Sequence, residues 1–64
     1  MKWQNTMFKS AEQCLICKEN LEHAGVKTGD IFRISGDGYW CLPWQARSEN
    51  ERRIAYGIIV QSID

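Results

Sequence analysis

Apolar and polar positions alternate in two distinct rhythms along this chain, and the change of rhythm divides it. Between Ser10 and Gly25, the residues Ala11, Cys14, Cys17, Leu21 and Ala24 recur at helical spacing, with Met7 in line ahead of them and Leu15 at the border. Glu12, Glu19 and His23 fall on the opposite side, together with Ile16. Ser10 and Gln13 form a capping box at the start, and Gly25 suits the left-handed residue just past the end. The pattern predicts an amphipathic helix over 11–24.

After the turn at Thr28-Gly29-Asp30 the period drops to two. The stretch "DIFRISGDGYWCLPW" reads as a β-hairpin, with Asp37-Gly38 as a two-residue turn. That turn places Tyr39 opposite Gly36, Trp40 opposite Ser35 and Cys41 opposite Ile34. Alternation then yields two faces: Phe32, Ile34, Tyr39 and Cys41 on one, and Ile31, Arg33, Ser35, Trp40, Leu42 and Trp44 on the other. The first is the expected partner of the helix. Gln45 to Arg53 reads as a charged connection. Ile54 to Ile63 is rich in β-branched residues and reads as a third strand, with Ala55 and Gly57 leaving room for an indole. Residues 2–7 supply a fourth strand if they pair.

These elements predict an α+β fold: one amphipathic helix on a three-stranded, at most four-stranded, antiparallel sheet. A small SH3-like barrel is the alternative. Sixty-four residues suit a single small domain spanning 1–64, whose thin stability margin directs attention to metals, disulfides and partner subunits.

Cysteine usage and charge narrow the function classes. Three cysteines do not make a complete disulfide framework, and no apolar signal segment follows Met1 to Asn5. No stretch is long enough to cross a membrane. A cytoplasmic protein is expected. Eight Lys and Arg balance eight Asp and Glu, whereas nucleic-acid modules usually carry a basic excess.

Cys14-x-x-Cys17 with His23 and Cys41 has the composition of a zinc site. On a helix, however, His23 lies about half a turn round the axis from Cys14. The three cysteines are better read as small core residues, with neither metal nor cofactor expected. No phosphate-binding loop, nucleophile elbow or paired metal-binding histidines appear, so no enzyme is expected.

Arg33, Trp40, Leu42 and Trp44 share one hairpin face. They are read either as a partner-binding surface or as a second small core. The expected function is a non-enzymatic regulator, inhibitor or adaptor that binds another protein through this aromatic face, with self-association as a variant. A nucleic-acid module is the second reading, using Trp40, Trp44 and Tyr39 to stack and Arg33, Arg47, Arg52 and Arg53 to meet phosphates; the same loop arginines would suit an acidic protein. A zinc-dependent domain is the third.

Overall fold

A computed structural model describes residues 2–36 and 38–62. It shows an antiparallel sheet of four strands with two helices, an α+β fold. Strand β1 (Gln4–Phe8) leads into helix α1 (Ala11–His23). The short strands β2 (Lys27–Thr28) and β3 (Phe32–Arg33) follow, then β4 (Trp40–Gln45) and helix α2 (Glu49–Ser62). β4 is central: β1 pairs along one side of it, and β2 and β3 share the other.

Helix α1 forms where its end signals place it. The Ser10 hydroxyl accepts the Gln13 N–H at 3.1 Å. At the other end Gly25 adopts φ +85°, Val26 N–H donates to the Leu21 carbonyl and Gly25 N–H to that of Glu22. This is a Schellman closure, and its apolar pair, Leu21 and Val26, is buried. Cys14, Cys17 and Leu21 face the core.

The third strand expected over 54–63 is instead helix α2; Ile63 lies outside the described residues. Its start signal is Ser48-x-x-Glu51. The Ser48 hydroxyl accepts the Glu51 N–H at 3.1 Å, and the Glu51 carboxylate turns back to the N–H of Arg47. Ala55 and Ile59 are buried one helical turn apart, with Ile58 packed beside them. Helical spacing of the apolar residues therefore outweighs the modest penalty of β-branched residues in a helix. The supposed connection 45–53 shrinks accordingly, because α2 already begins at Glu49.

The hairpin register also differs. Phe32 pairs with Cys41 and Arg33 with Trp40, and Ile34 N–H donates to the Tyr39 carbonyl at 2.8 Å. Residues 35–38 thus connect the strands, in place of a two-residue turn; Asp37 lies outside the described residues. A shift of two preserves the composition of the faces, since the side-chain period is two.

Which face meets the helices is reversed. Leu42 and Trp44 are buried with Phe8, Cys14, Cys17, Leu21, Val26, Ala55 and Ile59, and Trp40 packs against this cluster. Both faces offer large apolar side chains, and the one that packs inward is the one whose indole and leucine join Phe8, Ala55 and Ile59 in a single cluster. β1 reinforces the choice, because Phe8 pairs with Trp40 and shares its face. Trp44 retains a partner for its N–H: Nε1 donates to Thr6 Oγ1 at 3.0 Å. Tyr56 of α2 meets the same indole edge-on, at 5.5 Å between ring centroids.

Pro43 explains why the far side of β4 is split. Gly29 N–H donates to the Pro43 carbonyl at 2.9 Å. Pro43 has no N–H to return, so the Gly29 carbonyl has no mate on β4 and the ladder lapses there. The chain bulges through 29–31 and rejoins as β3, one residue out of the register of β2. A side chain at Gly29 would also meet the Pro43 ring at 3.0 Å.

Two substitutions test this account. Trp44→Ala should cost about 3–5 kcal/mol, comparable to the whole stability of so small a core, and urea titration should find it largely unfolded. Gly57, in the middle of α2, has open space around its missing Cβ and no positive φ. Gly57→Ala should stabilise by about 0.5–1 kcal/mol, read as a higher urea midpoint with unchanged slope.

Candidate functional site: the open face of the sheet

Both helices contribute to the core on one side of the sheet, so among the described residues the other side has no layer over it. Alternation assigns Trp3, Asn5 and Met7 to this open face, with Tyr39, Cys41 and Pro43 of the central strand and Phe32 from β3. Met7, Cys41 and Phe32 form one cross-strand row. Met7 is 55% exposed and Phe32 50%, yet Cys41 between them is only 3% exposed. The flanking side chains shield the thiol, whose Sγ donates to Asn5 Oδ1 at 3.6 Å. Trp3 lies beside Pro43 and Gly29, and Lys27 Nζ stands 5.8 Å from the centroid of its ring. The result is a continuous, largely apolar surface spanning three strand columns, with Trp3 and Tyr39 also exposed.

The residues expected to bind a partner are dispersed. Leu42 and Trp44 are core, so the Arg33, Trp40, Leu42, Trp44 face is not a surface patch. Trp40 is half-buried against the core, and only Arg33 of the four is exposed. The core alternative holds for the two most buried members, Leu42 and Trp44. Trp44 is likewise closed to base stacking, while Tyr39 remains open.

Arg47, Arg52 and Arg53 are exposed around the start of α2. The Arg47 guanidinium pairs with the Glu51 carboxylate at 2.9 Å and reaches the Gly25 carbonyl. Arg47 holds the Glu51 carboxyl below its usual range. Arg52 lies 5.7 Å from the Tyr56 ring centroid. A cleft of about 280 Å³ opens here, lined by Lys2, Gln4, Arg47, Glu49 and Arg52.

The cysteine–histidine set is divided by the fold. Cys14 and Cys17 are buried in α1, Cys41 lies across the sheet from the core cluster, and His23 is exposed beside Glu19 and Glu22. Among the described residues, no three His, Cys, Asp or Glu stand together as metal ligands. All three thiols are free, and burial pushes each one up; Cys14 reaches about 11, with Cys17 and Cys41 nearby adding to the effect. Among the described residues, no helix is long and apolar enough to cross a membrane.

The open face was missed because it draws on residues that sequence reasoning set aside. Trp3 and Met7 precede the first clear element, and the hairpin pattern puts Phe32 and Tyr39 on the face expected to meet the helix. The available signal was the alternation of Trp3, Asn5 and Met7 against Gln4, Thr6 and Phe8. Comparison with known proteins gives no match to this chain, whether by family model, curated protein or solved structure.

The buried thiols yield a test. Cys14 retains its proton in the folded state up to about 11, against 9.0 ordinarily, while the unfolded chain releases it earlier. This contribution to stability is therefore complete below pH 9 and declines as pH rises from 9 toward 11. Urea midpoints should fall over that window. At pH 8, alkylation of all three cysteines should be slow in the native protein and fast in denaturant.

Proposed function

We propose that this protein is a non-enzymatic binding module, a small regulator or adaptor, that engages another protein through the open face of its sheet. The supporting observation is the Met7–Cys41–Phe32 row, where two half-exposed apolar side chains bury a cysteine on a face that has no covering layer. A solvated sheet face normally alternates to polar residues. Here, Trp3, Met7, Phe32 and Tyr39 occupy those positions, and exposed contiguous apolar surface marks interaction sites. Aromatic residues and Met are the types enriched at the centres of protein interfaces. Met7, Cys41 and Phe32 stand on paired strands, which lowers the ordering cost of binding.

Nucleic acid fits this surface less well. The indole best placed by sequence for stacking, Trp44, is buried in the core.

A photo-crosslinking amino acid at position 32, compared with one at position 53 on α2, tests the assignment in host lysate. Crosslinks to a defined protein should form from position 32 and be absent from position 53. Phe32→Glu should abolish capture by a crosslinker at position 39 while shifting the thermal midpoint by no more than about 4 °C, the change expected of a surface substitution in so small a domain. Equal crosslinking from both positions would exclude the open face as the site.

A further inference from the structure

Charge is segregated in this electrically neutral chain. None of the four strands carries an Asp or Glu, and residues 1–11 contain none either. Lys2 and Lys9 bracket β1, both exposed, and Lys27 stands over Trp3 on the same side of the sheet. Acidic residues are confined to the helices, the connections and the final position.

β1 is also the longer free edge of the sheet. Its register with β4 shows which backbone groups are unpaired. Gly29 donates to Pro43, so residue 43 turns its backbone polar groups toward β2. Successive residues of a strand alternate, so Leu42 and Trp44 turn theirs toward β1, where they meet Thr6 and Gln4. Asn5 and Met7 therefore direct their N–H and C=O groups outward, away from the sheet. This edge has neither a proline nor a bulge within Gln4–Phe8, and an extended chain can pair along it.

We propose that the partner adds an extended segment antiparallel to β1, bonded to the backbone of Asn5 and Met7, with acidic residues flanking its paired core. This inference rests on the open-face reading, because a strand added at β1 would extend that face and set alternate side chains beside Trp3 and Met7. Charge selects the occupant. In an antiparallel segment, the end that passes Phe8 meets Lys9, and the end that passes Gln4 meets Lys2 and a cleft where Arg52 and Glu49 stand beside Arg47, itself paired with Glu51. A second copy of this chain is disfavoured on the same ground. Two β1 strands paired about Thr6 would set Lys2 of each copy opposite Ser10 of the other and Lys9 opposite Trp3, gathering four lysines along the seam with no acid among residues 1–11 to offset them.

The test uses two synthetic peptides, Asp-Asp-Val-Thr-Val-Thr-Val-Asp-Asp and the same sequence with Lys in place of Asp. Three forms of the full chain are compared at low salt: wild type, Phe32→Glu, and a totally synthetic protein carrying a methyl group on the Met7 backbone nitrogen. The N-methyl form retains every side chain and every β1–β4 bond, losing only an outward donor. The acid-flanked peptide should bind the wild type about tenfold more tightly than the Lys-flanked one. It should slow amide exchange at Asn5 and Met7, and it should lose about tenfold or more in affinity for the N-methyl protein. Binding that is indifferent to Met7 methylation but lost in Phe32→Glu would overturn strand addition and leave the open face standing. Equal binding of the two peptides, or none by the acidic one, would overturn the inference. So would a wild-type dimer in sedimentation whose Met7 amide is protected without peptide.

Discussion

Trp44 is the contact around which this small core is organised. Its indole sits on the central strand and is almost wholly buried; its N–H is satisfied by Thr6 of β1, and Tyr56 of α2 closes on it edge-to-face. One side chain thus links the first strand, the central strand and the last helix. It removes a large apolar area from water without leaving a buried donor unpaired. Strand geometry carries the consequence outward. With Trp44 inside, Leu42 and Trp40 must follow, and Cys41, Pro43 and Tyr39 must turn to the other face.

Pro43 adds a second constraint one residue away. Its missing N–H interrupts the ladder opposite Gly29 and leaves two short strands on that side of β4. β1, by contrast, pairs without interruption over five residues. The sheet consequently has one fragmented edge and one continuous edge, and the continuous one is flanked by lysines. An open apolar face, a regular edge and a cationic border all meet along β1. That convergence lies on strands packed against the core beneath.

Helix α1 was legible because each of its ends carries a local chemical signal: Ser10 with Gln13, and Gly25 with the Leu21–Val26 pair. Those signals act within a few residues and need no tertiary help. The same logic would have found α2, where Ser48 and Glu51 stand three apart and Ala55 and Ile59 four apart. Ile54, Ile58, Ile59 and Val60 obscured it, since β-branched composition favours a strand only where a pleated surface is available to receive it. The hairpin strands were found, but their register was set by the Ile34–Tyr39 bond and a longer connection than Asp37-Gly38 implied.

By itself, the sequence determined the α+β class, the position of α1, the alternation of two hairpin faces, and the inward placement of Cys14 and Cys17 away from His23. Each of these follows from backbone periodicity or from capping over short range. Tertiary structure alone decided which hairpin face lies inside. Both faces are apolar, so local pattern leaves them balanced, and the balance is broken only when β1 supplies Phe8 and Thr6 beneath Trp40 and Trp44. The same event exposes Met7 and Phe32 around Cys41. The candidate surface is therefore a consequence of long-range packing, which no short window of this sequence contains.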